Sequence, residues 1–262
     1  MKYYEFDGSF EGLLTSIFIA FDQKERDIIL VRAGTPPTSL FDTRTIIDVQ
    51  PDQAKRVWTK LQQLIGPTRS MDFYKALLAE DPKSDQAAFC LMYAIFKGQK
   101  DALSNFGEDH ALYFAQTLKK LNRERHRMTA FVRFRKGKDD LFVADIAPDF
   151  NVLPLIKNFF KKRFADQKWL IVDTRRQYGI WYDLKEVIPV ELPTAPIETD
   201  LPASSPIGLH EKEVHYQQLW QKYYQHTTIQ QRINPSLFLR HVPRRYWSKM
   251  TEFHLQLDQQ CG

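Results

Sequence analysis

Hydrophobic positions along this chain keep a helical period in some stretches and alternate in others, and the two patterns divide it into elements. The opening KYYEF favours a strand, and after DGS the segment FEGLLTSIFIAFDQ sets Leu13, Leu14, Ile17, Phe18 and Phe21 at helical spacing. Asp7 or Ser9 is placed to cap that helix. DIILVRA and RTIIDV read as short strands around the turn signal GTPPTS. A helix starts near Pro51, with Ala54, Val57, Trp58, Leu61 and Ile65 as its apolar stripe, and Gly66-Pro67 ends it. Further helices are predicted over 70–79, 84–96 and 109–126, the last with Phe114, Leu118 and Leu121 inward.

From Met128 the period falls to two. TAFVRFR and DLFVADI read as strands, LPLIKNFFKKRFA as a helix, and KWLIVD and YGIWYDL as strands, which makes a ββαββ unit with turns at Lys136-Gly137 and near Arg175–Gln177. Residues 186–208 contain Pro189, Pro193, Pro196, Pro202 and Pro206 and read as an extended linker. Helical spacing returns with Val214, Leu219, Trp220 and Tyr223. The expected fold is α+β. It comprises a mainly helical region with short strands (1–127), a central antiparallel ββαββ sheet unit (128–185), the linker (186–208) and a C-terminal helical arm (209–262), able to pack as one compact domain.

Composition narrows the function classes. At 262 residues, 43% of them hydrophobic, the chain can bury a large core. Cys90 and Cys261, its two cysteines, are too few for a disulfide framework, a zinc site or an iron–sulfur cluster. A reducing cytoplasm fits that usage. MKYYEFDGSFEG has no apolar signal region, and no apolar run approaches the ~20 residues needed to span a bilayer, so neither export nor membrane insertion is expected. There is no P-loop, dinucleotide fingerprint or nucleophile elbow, and the seven histidines show no HExxH spacing. No cofactor and no metal are called for.

Charge is more telling in its distribution than in its total. The formal charge is only +5, yet between 119 and 138 the residues Lys119, Lys120, Arg123, Arg125, Arg127, Arg133, Arg135, Lys136 and Lys138 face one acid, Glu124. On the predicted helix Gln116, Lys120, Arg123 and Arg127 follow at i, i+4, i+7 and i+11, opposite Phe114, Leu118 and Leu121. On the predicted strand, alternation sets Phe131, Arg133 and Arg135 on one side, an aromatic beside two guanidiniums, which suits stacking on bases and gripping phosphates. The plain alternative is a solvated helix face and a charged strand edge. A second basic cluster, Arg232, Arg240, His241, Arg244 and Arg245 with Tyr246 and Trp247, is either a further grip on a polyanion or a docking arm anchored by its two aromatics. The candidate nucleic-acid-binding set is therefore Lys119, Lys120, Arg123, Arg127, Phe131, Arg133, Arg135, Arg240, Arg244 and Arg245.

Three stretches carry a family resemblance: YYEFDGSFEGLLTSIF, the centre from MTAFVRFRKG to YGIWYD, and LWQKYYQHTTIQQRINPSLFLRHVPRRYW. Together they resemble a bacterial family assigned to DNA metabolism or repair. Its members look like partners of a neighbouring radical SAM protein, and a similar domain is fused to uracil-DNA glycosylase-like domains. In the tail this chain has Val242 where the family commonly has Met, and FNVLP stands in place of an HVLP-like stretch, so no histidine chemistry is carried over there. The resemblance implies a DNA context and a radical SAM partner, but no catalytic residue. The leading expectation is thus a DNA-binding protein without catalysis of its own. The alternatives are an enzyme on DNA or a damaged base, using Asp145 or Asp173 with a nearby Arg or Tyr, with Asp139, Asp140 and Asp149 flanking one of the two strands as candidates for a carboxylate pair, and a protein adaptor with a basic docking face.

Overall fold

A computed structural model of the chain describes residues 2–36, 43–99, 101–137, 140–191 and 239–250, together with Glu213, Tyr216 and Leu219. The fold is α+β. It divides into two compact units, Met1–Arg123 and Glu124–Gly262, the division falling within one long helix.

The first unit begins with β1 (Lys2–Phe6), α1 (Phe10–Asp22), β2 (Ile28–Arg32) and β3 (Thr43–Ile46). Helix α1 carries the chain back, so β2 runs parallel to β1, with Tyr4 opposite Leu30; β3 pairs parallel on the other side, giving the order β2-β1-β3. The N-terminal strand therefore belongs to a small parallel sheet separate from that of the ββαββ unit. Helices α2 (Pro51–Ile65), α3 (Pro67–Leu77) and α4 (Pro82–Phe96) follow. Gly66, at φ +81, closes α2, and Pro67 opens α3 at its first position. The predicted α2 stripe is the observed one: Ala54, Val57 and Leu61 are buried, and Trp58 meets Phe10 edge-on at 5.2 Å. Tyr4, Phe6, Leu13, Ile17, Leu61, Phe73 and Met92 form the centre of this core.

Two polar devices tie the helices to the sheet. The Gln86 amide accepts from Leu30 N at 2.7 Å and donates to Ile28 O at 2.9 Å, so one side chain completes the outer edge of β2. Arg32 grips the buried Asp85 with two bonds, of 2.6 and 3.0 Å, and also donates to Leu77 O at 3.0 Å. Burial still pushes the Asp85 carboxyl above its ordinary range.

The second unit holds the end of α5 (Asp109–Phe131), then β4 (Arg135–Lys136), β5 (Phe142–Ile146), α6 (Leu153–Arg163), β6 (Trp169–Asp173), β7 (Tyr178–Tyr182), β8 (Val187–Glu191) and a 3₁₀ helix, Arg244–Lys249. The ββαββ succession is present, but its sheet is mixed rather than antiparallel. In the order β4-β5-β6-β7-β8, β5 and β6 run parallel because α6 returns the chain to the same end; the other pairs are antiparallel. Leu153, Ile156 and Phe160 of α6 cover Ala144, Ile146, Trp169, Ile171 and Ile180, so its aromatic Phe160 is core, as its helical period indicates.

The stretch expected as linker opens as strand β8. Pro189 sits there opposite Ile180, and the strand tolerates it as the sheet's edge. The rest of that stretch, and most of the expected helical arm, lie outside the described residues. No helix among the described residues is long and apolar enough to cross a membrane.

Candidate nucleic-acid interface

Helix α5 runs uninterrupted for 23 residues, without Gly or Pro to stop it. Ala111, Phe114, Leu121 and Met128 are buried along it, and Lys119, Lys120 and Arg123 are exposed, as the helical period requires. Among the described residues no carboxylate pairs with these three cations. Arg127, one turn further on, is half-buried, and its Nη2 donates to Arg240 O at 2.9 Å.

The strand expected from Met128 onward starts later than alternation suggests. Met128, Phe131 and Val132 also stand at i, i+3 and i+4, and that helical reading prevails: α5 continues to Phe131. The three side chains expected on one strand face are consequently separated. Phe131 closes the helix with its ring 5.4 Å from that of Tyr246. Arg133 lies in the connection, its Nη1 donating to Ala130 O at 2.6 Å and to Val132 O at 3.2 Å, so it satisfies carbonyls at the helix end. Arg135 opens β4 and pairs with Asp145, which also accepts from Lys249 at 2.6 Å. Lys138 lies outside the described residues.

In the tail, Tyr246, Trp247 and Met250 are buried in the core of the second unit, so this segment docks by its aromatics. Arg240 and Arg244 are exposed, and Arg244 lies over the Trp247 ring at 5.8 Å. Arg245 is used internally. Its Nη2 is 3.0 Å from Glu124 Oε2, 2.9 Å from Asp149 Oδ2 and 2.5 Å from the Tyr246 hydroxyl.

Glu124 anchors that cluster and is only 2% exposed. One oxygen accepts from Asp149 N at 2.9 Å; the other accepts from Tyr246 Oη at 2.5 Å and from Arg245. Burial, followed by the bond to Glu124, raises the Tyr246 phenol to about 12. The sequence carried a signal for this site: Glu124 interrupts the buried line from Leu121 to Met128, where an acid requires partners.

Around the same end of the sheet, Arg176 binds Asp173 Oδ2 at 2.8 Å, Pro148 O at 3.1 Å and Asp149 O at 2.9 Å, and Tyr178 bonds Asn151. Arg175 reaches Asp149 at 3.4 Å. These residues fix the loop between β5 and α6. Neither Arg176 nor Tyr178 stands out in the one-dimensional pattern: Asp173 is three residues from Arg176, but Pro148, Asp149 and Asn151 are distant in sequence and come near only in the fold.

The two candidate catalytic acids do not converge. Ile146 is opposite Asp173 and Asp145 opposite Val172 in the parallel register, so strand alternation sends Asp145 and Asp173 to opposite faces of the sheet. Asp173 is fully buried and also accepts from the backbone N–H of Arg175 and Arg176, at 3.0 and 3.2 Å. A paired-carboxylate site therefore does not form from these two residues.

No curated protein matches the chain. A family model does, over residues 82–252: a domain of unknown function designated DUF4130. The match begins at α4 and runs through the 3₁₀ helix, so it takes in all of α5, the sheet of the second unit and the Glu124 cluster. With more than half of its length matched in this way, the chain belongs to the DUF4130 family.

Proposed function

We propose that this protein binds nucleic acid, DNA in the first place, and that it serves a radical SAM protein as a DNA-binding partner without catalysing a reaction itself. One observation carries the reading. Lys119, Lys120 and Arg123 are exposed within five residues of one rigid helix, and Arg240 and Arg244 are exposed beside a docked aromatic anchor, none of them paired with a carboxylate among the described residues. Like charges at this density repel one another, and a bound polyanion relieves that repulsion. Five other arginines, Arg32, Arg44, Arg135, Arg176 and Arg245, instead hold acids within the fold.

Arg135 and Arg245 therefore serve the fold before they serve a ligand, and Phe131 serves packing. The proposed contacts are Lys119, Lys120, Arg123, Arg240 and Arg244, with Arg127 as a support for the Arg240 backbone. DNA and the radical SAM companion rest on the family resemblance of the quoted stretches. Titration of labelled DNA by the purified protein tests the binding. Co-purification of the two chains, with and without nuclease, tests the companion: no association in either preparation sinks the partnership.

A further inference from the structure

We infer that a cleft between the first turns of α4 and α5 is a receptor for one unpaired nucleobase of a bound strand. Lys83 of α4 and Asp109, His110, Tyr113 and Gln116 of α5 line a cavity of about 390 Å³. That volume is within the range of about 300–1,000 Å³ typical of small-ligand sites. All of it lies in the first unit and within the stretch that matches the family.

The lining suits a base by its chemistry. Gln116 is exposed and offers both a donor and an acceptor, the combination that reads a base edge. Asp109 adds an acceptor for an exocyclic amine, and Lys83 adds a cation for the attached phosphate. Tyr113 is held before any ligand arrives. Its hydroxyl donates to Asp81 Oδ2 at 2.7 Å, and the same oxygen caps α4 at Ser84 N, 3.0 Å away. A fixed aromatic is what a stacking platform requires. Gln86, on the cavity wall, is already committed to the edge of β2 and contributes shape only.

Position along α5 links the cleft to the proposed phosphate contacts. Gln116, Lys120 and Arg123 are at i, i+4 and i+7 on one helix, all exposed, with rises of about 6 and 10.5 Å from Gln116. A strand whose base enters the cleft would lay its next phosphates along Lys120 and Arg123. This inference rests on the reading of the protein as a DNA binder, and it adds what part of DNA is sought: a base free of its partner.

The test compares a short single-stranded oligonucleotide with a strand of the same length made abasic at every position, by fluorescence anisotropy, together with NMR titration of deoxyadenosine monophosphate. The parent protein should bind the intact strand about tenfold tighter than the abasic one. Gln116→Leu, at an exposed position, should abolish that preference and leave affinity for the abasic strand unchanged; Lys120→Ala with Arg123→Ala should weaken both strands alike. Equal binding of the two strands by the parent, or a preference that survives Gln116→Leu, overturns the inference while the DNA reading stands. Should no strand bind but the mononucleotide shift the Tyr113 and His110 resonances, the cleft stands and the DNA reading falls. Absence of both overturns both.

Discussion

Tyr246 donates its phenolic hydrogen bond to the carboxylate of Glu124 at 2.5 Å, closing a contact between residues 122 apart in the chain. It fastens the C-terminal segment to α5, with the aromatic ring in the core and the hydroxyl on a buried charge. Tyr246→Phe leaves Glu124 its bonds from Arg245 and Asp149 N, so the expected loss is about 1–2 kcal/mol. Tyr246→Ala also opens a cavity and should cost about 3–5 kcal/mol. Urea unfolding measures both, and an unchanged midpoint for Tyr246→Phe would show that the bond contributes nothing.

The same phenol makes stability depend on alkaline pH. Its folded pKa, about 12, lies above the ordinary tyrosine value of 10.0, so the folded state holds the proton more tightly. The resulting stability is fully present below pH 10 and is lost as pH rises toward 12. Tyr4, raised by burial and by its bond to Glu25, acts in the same direction in the first unit. Unfolding free energy measured from pH 9 to about pH 12 should therefore fall, and Tyr246→Phe should remove part of the slope. A parallel curve for the variant would contradict the assignment.

Arg32, half-buried, pairs in the first unit with Asp85, which is only 1% exposed. Arg32→Ala leaves that carboxylate without its cation, at an expected cost of about 3–5 kcal/mol. Replacing both partners with apolar residues, as Arg32→Met with Asp85→Leu, should recover much of the loss. Equal destabilisation by the single and double variants would locate the effect in packing rather than in charge.

Gly12 is required by Asp7. A Cβ at Gly12 would stand 2.3 Å from Asp7 Oδ1, the oxygen that accepts from Ser9 N at 2.9 Å and Ser9 Oγ at 2.7 Å at the start of α1. Gly12→Ala should therefore destabilise the parent by about 1 kcal/mol although alanine is the better helix former. In an Asp7→Ala background the same change should stabilise. Thermal unfolding of the four proteins decides the matter, and additive effects would rule out the coupling.

The elements were legible in the sequence wherever a period ran for several turns. The stripe of α2 and the ββαββ succession follow from side-chain spacing, and of the two candidate caps of α1 it is Ser9 that accepts from Gly12 N. Less legible was the boundary at Met128, where the run from Met128 to Val132 fits both periods and the buried face of α5 decides between them. The parallel β5/β6 pair is a property of how α6 packs, and alternation within a strand is blind to it. For the interface, the exposed row Lys119, Lys120 and Arg123 was readable from charge and period. That Arg135 and Arg245 hold Asp145 and Glu124 was not, because those acids are distant in sequence and near only in the fold.

The central claim is that five exposed cations hold phosphates, and the salt dependence of DNA affinity tests it most directly. If Lys119, Lys120, Arg123, Arg240 and Arg244 each release a counterion, log affinity against log salt should have a slope of about −4.5, or roughly 500-fold weaker binding between 50 and 200 mM salt. Replacing Lys119, Lys120 and Arg123 with alanine should bring the slope to about −1.8. A parent protein with no affinity for DNA at 50 mM salt, or a slope that those three substitutions leave unchanged, would contradict it.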